Sequence, residues 1–353
     1  MKNIIPSIKR NWPYAIMLLF VVMVNLNVFT PPKTDTAADG KAGQTLKIEP
    51  FDKQTADDRR KKIAELYYTD PGLYFLLYVV NMAILIVILS GVLADVVVIY
   101  RKRQGRGLLN RTLPEMSAAW GMADVIKFAL MFYSFGYLFI ITEGIMIKRL
   151  PAMGNRNLLV ILNATVTDTA GILLVLYFVV FKYREKIASI GLTTRHFLRN
   201  VGYGIAAYLS VIPALLLSLV ATAVVMSLFK VSAPVQPIVN MLVNEKNVPV
   251  LVYSSVFAAV MGPVMEEIFF RGFFYNALKK RSGALWGMIA TSVVFSLLHA
   301  HPVGFVPIFI LGMLLVYVYE QTGSLVASMT VHILHNLASV GLVLMMKNIY
   351  ALG

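Results

Sequence analysis

Apolar residues run along this chain in nine long stretches, separated by short polar or basic segments. They cover roughly 12–30, 72–100, 120–147, 158–181, 202–229, 248–270, 284–300, 303–320 and 325–346. Several exceed the ~20 residues that a helix needs to cross a bilayer. The pattern predicts an all-α, polytopic membrane protein with about 8–9 transmembrane helices. Residues 1–30 read as a retained membrane anchor span. A basic start at Lys2, Lys9 and Arg10 precedes its apolar run, and no small-residue cleavage site follows.

Residues 31–70 interrupt the pattern. They are rich in Thr, Pro, Gly and Asp and hold eight basic and eight acidic residues. That composition predicts a loosely ordered extracytoplasmic loop, with a short helix near "DDRRKKIAELYY". The loop is too short for a standard domain.

Composition supports the membrane assignment. The chain is 58% hydrophobic and 14% charged, where a soluble domain carries about 25% charged residues. Its mean hydropathy is +0.72. The absence of cysteine excludes disulfides and thiolate metal sites. A net charge of +14 would suggest nucleic acid in a soluble protein, but its distribution gives another explanation. With the N-terminus in the cytoplasm, inside loops carry seventeen basic residues and the short outside loops with the tail carry six. The excess is topological, and no nucleic-acid partner is implied. The mixed basic and apolar segment 182–204 is expected at the cytoplasmic interface. These features suit a prokaryotic inner membrane.

Ionisable residues inside membrane spans are functional candidates by default. Five are scattered: Asp95, Asp124, Lys127, Glu143 and Asp168. Asp95 and Glu143 lie near span ends, within reach of the interface. Asp124 and Lys127 are three residues apart and can pair on one helix face. Asp168 lies in "NATVTDTAG", where Asn163, Thr165, Thr167 and Thr169 offer hydrogen bonds. Packing roles are expected for all five.

A second set is concentrated near the C-terminal end. "PVMEEIFFRG" places Glu266 and Glu267 after sixteen residues without formal charge, with Arg271 one turn on. Glu267 and Arg271 are spaced i, i+4 and can form an ion pair, while Glu266 points elsewhere. Phe295 and His299 share the same spacing, as do His332 and Asn336. About a hairpin centred on 281–283, Glu266 and His299 fall at similar depth. His332 is only about eight residues from the next inside turn and matches that depth less well without tilt or interruption. Pro263 allows an interruption by freeing a backbone carbonyl one turn earlier.

Such a Glu–His–His–Asn cluster has more than one use. It can bind a divalent metal that activates water. Alternatively, Glu266 can act directly as a general base, with His332 and Asn336 donating to an oxyanion. Transport and plain helix packing also remain open.

Three motifs narrow the choice. They are EExxxR in Glu266 to Arg271, FxxxH in Phe295 to His299, and HxxxN in His332 to Asn336. In order and spacing they closely resemble the CPBP family, the CAAX prenyl proteases and bacteriocin-processing enzymes also called Abi. The linking stretch "FILGMLLVYVYEQTGSLVASMTVH" is similar to the family as well. The resemblance covers roughly 182–346. It implies a C-terminal CPBP/Abi helical core there, with 71–181 supplying further transmembrane helices of no assigned role.

By that resemblance the chain is an intramembrane endopeptidase acting on a membrane-associated peptide or protein. Glu266, aided by His299, activates water. His332 and Asn336 stabilise the oxyanion, and Glu267 and Arg271 complete the site. In the metalloprotease form of the mechanism, Glu266, His299 and His332 hold a divalent metal such as zinc; otherwise no cofactor is implied. His301 and His335 lie outside the motifs and are expected to have packing or interfacial roles rather than catalytic ones. The alternative is a non-catalytic transporter or bacteriocin-immunity protein that uses the same cluster for binding.

Overall fold

The structure, a computed structural model, describes residues 4–29, 67–104, 118–149, 155–229 and 236–351, with Lys61 and Glu65 alone between the first two segments. Most of the 31–70 loop and its expected helix lie outside the described residues. So does the Glu143 side chain. Among the described residues there is no strand, and the protein is a polytopic helical membrane protein.

The long helices are α1 (Ile4–Phe29), α2 (Pro71–Arg103), α3 (Met122–Arg149), α4 (Arg156–Leu176) and α5 (Phe197–Leu228). A short α6 (Pro237–Asn244) leads into a continuous helical stretch from Val248 to Leu298. Last come α10 (Phe305–Thr322) and α11 (Leu325–Ala351). Among the described residues seven helical stretches are long and apolar enough to cross a membrane, and Asn11–Leu26 is a shorter apolar helix.

The stretch from Val248 to Leu298 cannot be one span. Its 51 residues would extend about 76 Å at 1.5 Å per residue, against a hydrocarbon core of about 30 Å. Gly283 breaks it, with φ 77° and ψ 171°, a conformation that glycine adopts without steric cost. Beyond the break the chain folds back, so that Gly287 lies against the Lys279 backbone and the Tyr275 ring. This is the hairpin predicted at 281–283, and it resolves the stretch into two antiparallel rods. The first rod contains α7 (Val248–Val256) and α8 (Gly262–Glu267), each followed by a π-helical turn, Phe257–Met261 and Ile268–Tyr275. The second rod is the long part of α9 (Asn276–Leu298).

The largest core cluster is aromatic and surrounds the second π-helical turn. Phe273 is fully buried among Trp120, Phe128 and Phe178, with Trp120 stacked on it at 5.4 Å. Trp120 Nε1 donates to the Phe273 carbonyl at 2.8 Å, so the indole N–H is satisfied where no water reaches. Lys280 donates to the Ala118 carbonyl at 3.0 Å and secures the same approach to α3.

The scattered charges are held by neighbours far away in sequence. Asp124 does not pair with Lys127. It binds Lys182 and the Tyr183 hydroxyl, closing the start of α3 onto the end of the α4 rod. Lys127 instead lies over the Tyr14 ring of α1 at 5.1 Å. Asp95 accepts from Ser210 on α5 rather than reaching for an interface. Nearby, Gly91 lets α2 and α5 touch, since a Cβ there would fall 2.3 Å from the Leu209 carbonyl oxygen.

Segment 183–196 forms a compact cap with a 3₁₀ turn at Ile187–Ile190. Ile190 is fully buried, and its carbonyl accepts from Tyr319 at 3.1 Å. The Gly191 carbonyl accepts from the Leu325 N–H at 2.8 Å. The turn between α10 and α11 is therefore covered by protein, with Ser324 and Leu325 almost fully buried.

At the other end, Glu245 joins two helix starts. Its carboxylate accepts from the Asn247 N–H at 2.7 Å, from Asn157 Nδ2 at 2.7 Å and from Asn155 Nδ2 at 3.0 Å. Asn155 caps α4 and Asn247 caps α7. The Asn247 N–H first, then the two amides, hold the Glu245 pKa down at about 2, against an ordinary 4.5. A pKa lowered on folding gives stability that is complete above about pH 4.5 and disappears as pH falls toward about 2. In detergent, the melting temperature of the wild type should therefore fall more steeply across that window than that of Glu245→Gln. Equal slopes in thermal unfolding would remove Glu245 from the acid response.

Candidate active site

The site begins with a missing hydrogen. In the first π-helical turn the Gly262 N–H reaches back five residues to the Phe257 carbonyl. The next bond in that register would join residue 263 to the Ala258 carbonyl. Residue 263 is proline and has no N–H. Asn336 Nδ2 supplies the donor, at 2.8 Å from Ala258 O. Pro263 and Asn336 are thus locally coupled, which ties α11 to the glutamate rod. One N–H of the Asn336 amide stays uncommitted by this bond.

Glu267 lies immediately below in the rod and has no solvent exposure. Its Oε1 accepts from Arg271 Nη1 at 2.7 Å, the predicted i, i+4 pair. The same oxygen lies 2.9 Å from His332 Nδ1. A carboxylate paired with arginine only accepts, so Nδ1 carries the proton and His332 turns Nε2 away from the pair. Arg271 is also fully buried. Its guanidinium lies 4.4 Å from the Phe295 ring centre, and Nη2 is 3.5 Å from the Gly312 carbonyl. Gly312 also lets α10 lie close to α9, because a Cβ there would be 3.1 Å from Ser292 Cβ.

His332 reaches Glu267 even though it lies few residues from the α10–α11 turn. The cap explains this. The turn is buried under Gly191 and Ile190 rather than placed at the surface, which carries the start of α11 into the bundle. The expected mismatch in depth is removed from below.

Glu266, one residue from Glu267, is turned by about 100° and faces open space. Its side chain is 37% exposed, and Oε2 lies 3.7 Å from His332 Nε2. It lines a cavity of about 1200 Å³ together with His299, His332, His335 and Asn336. The His299 Nδ1 lies 2.7 Å from the Phe295 carbonyl four residues earlier. A carbonyl only accepts, so this ring nitrogen donates and the neutral ring offers a bare Nε2. Phe295 does three things in one place: its carbonyl sets the His299 tautomer, its ring supports Arg271, and its edge meets His332.

The connection after His299 also lines the cavity, through His301 and Gly304. Irregular backbone at membrane depth is tolerated where it borders such a space. His301 Nδ1 accepts from the Gly304 N–H at 2.9 Å. His335 lies edge-on to the Tyr208 ring at 6.1 Å while facing the cavity. Asp168 differs most from expectation. It lines the cavity from α4, and its neighbouring threonines bond elsewhere: Thr165 and Thr169 to backbone carbonyls, Thr167 to Asn163.

Both motif histidines present Nε2, the nitrogen a metal would take. Among the described residues, however, no three His, Asp or Glu side chains converge as a metal-ligand set. The triad Glu266, His299 and His332 is not ready-made for zinc in this arrangement.

Residues 248–338 match the family model described as type II CAAX prenyl endopeptidase Rce1-like. No curated protein and no solved structure matches the chain. The matched segment starts with α7 and ends two residues beyond Asn336, so it contains all three motifs and omits α1 to α6. Over residues 248–338 the chain is thus similar to the Rce1-like type II CAAX prenyl endopeptidases, which is consistent with the CPBP resemblance of the motifs.

Proposed function

We propose that the protein is an intramembrane endopeptidase that hydrolyses a peptide bond in a membrane-associated peptide or protein, with Glu266 as the general base. One observation carries this reading: two adjacent carboxylates have opposite fates. Glu267 is sealed at 0% exposure with Arg271 and His332, whereas Glu266 is 37% exposed toward the cavity. A structural pair would bury both. A chemical site needs one acid held and one available.

The steps follow from the donor inventory. Glu266 takes a proton from water, while the bare His299 Nε2 accepts the water's second hydrogen and fixes its direction. The water oxygen attacks the peptide carbonyl carbon and the carbonyl π bond opens to an oxyanion. The free N–H of Asn336 donates to that oxyanion, and so does Nε2–H of His332 when its ring carries both protons. The C–N bond then breaks, and Glu266 returns its proton to the departing amine. Arg271 and Glu267 keep His332 oriented and take no proton. By the distribution of basic residues, the N-terminus and the 183–196 cap face the cytoplasm.

The two glutamates give opposite expected outcomes. Glu266→Ala lowers cleavage by about 10²- to 10⁴-fold, the range for a lost general base. Its thermal unfolding in detergent should stay close to wild type. The substrate and scissile bond are read by comparing membrane peptides and protein termini with and without active enzyme. A well-folded Glu266→Ala protein that still cleaves would sink the mechanism.

Glu267→Ala instead leaves Arg271 charged and buried without its partner. Breaking such a pair costs about 3–5 kcal/mol, so stability and membrane yield should fall sharply. A Glu267→Ala protein that melts like wild type but is inactive would reverse the assignment of the two carboxylates.

A further inference from the structure

Asp168 carries a carboxylate that the packing does not use. The hydroxyls of Thr165, Thr167 and Thr169 donate to Ile161 O, Asn163 Oδ1 and Thr165 O, respectively. Among the described residues no ion pair reaches Asp168. The one Lys or Arg lining the cavity is Arg156, about 18 Å earlier along the same helix at 1.5 Å per residue. Asp168 borders the 1200 Å³ cavity that contains Glu266. It also borders a second space of about 540 Å³ between α3 and α4. An intramembrane carboxylate in this setting has no structural reason to be charged or polar.

Its wall gives it a role. The rod that bears Glu266 packs against α4 and also against α11. The α11 wall supplies the oxyanion donors, His332 and Asn336. The α4 wall supplies an acceptor, Asp168. A peptide bond is itself two-sided, with an acceptor at C=O and a donor at N–H pointing the opposite way. When the C=O faces α11, the N–H faces α4.

Resting on the endopeptidase reading, we propose that Asp168 is a further catalytic residue, which accepts a hydrogen bond from the N–H of the scissile amide and from the amine as it departs. The contribution increases during the reaction, because the nitrogen gains hydrogen and positive character as the C–N bond breaks. No proton is lost by Asp168. Glu266 still delivers the proton that completes the leaving amine. The residue lies outside the family-matched segment, so the N-terminal half would contribute directly to the chemistry.

The test removes the N–H from the substrate. One probe is a quenched-fluorescent library of apolar hexapeptides, chosen because the cavity walls are mainly apolar. The other is the matched library in which the central amide is replaced by an ester. Asp168→Leu, which removes the acceptor, should lower peptide cleavage by about 10- to 100-fold, the size of a hydrogen bond to a charged group. Ester cleavage should change by less than about 3-fold, because that bond has no N–H to lose. Equal loss on both libraries, or loss on neither, overturns the proposal. If Asp168→Leu does not fold, Asp168→Ala is read by the same peptide-to-ester ratio. Glu266→Ala provides the separate control and should lose both activities. Cleavage of neither library by the wild type overturns the endopeptidase reading, and cleavage of both by Glu266→Ala overturns Glu266 as its base; either result removes the Asp168 role with it.

Discussion

A guanidinium with no exposure to solvent has to be neutralised within its own packing shell, and that requirement organises the centre of this protein. Arg271 is held by Glu267, by the ring of Phe295 and by the Gly312 carbonyl. Each contact recruits a different helix. Glu267 also binds His332, which fixes α11 against the rod. Phe295 draws in α9, and Gly312 draws in α10 at a distance that a larger residue would prevent. With Glu267 committed inward, the helical twist leaves Glu266 facing the cavity. The availability of one acid is a consequence of the confinement of the other.

Much of the fold was legible because hydrocarbon imposes simple demands. Spans must be long and apolar, and the break at Gly283 could be placed from the polar "KKRSG" segment between two runs. What remained hidden depended on tertiary choice. Asp124 and Lys127 satisfy the local rule for a helical pair, yet Lys182 and Tyr183 offer Asp124 a charged partner and a hydroxyl at once. The buried α10–α11 turn was equally invisible, since nothing in "EQTGSL" indicates that a 3₁₀ segment over a hundred residues earlier covers it.

The site shows the same division. The i, i+4 relation of Glu267 to Arg271 follows from helix geometry alone and is present as expected. The spacing of His332 and Asn336 placed them on one face, but their partners differ: a carboxylate for one and a backbone carbonyl for the other. Pro263 signalled that a carbonyl would be freed, though not which side chain would take it. Asp168 was assigned to packing because polar residues surround it in sequence. On a helix those residues can bond back onto the helix itself, and the threonines do so.

The two π-helical turns in the glutamate rod add a further consequence. Each winds the chain at more residues per turn than an α-helix, and Glu266 and Glu267 lie between them. The phase of those carboxylates relative to α7 and to Arg271's surroundings therefore depends on residue count as well as residue type. Removing one residue from Phe257–Met261 would turn everything below it by about 100° against everything above. Chain length between Phe257 and Tyr275 is a determinant of reactivity in its own right. A homologous stretch could preserve every motif letter and still aim the wrong oxygen at the cavity.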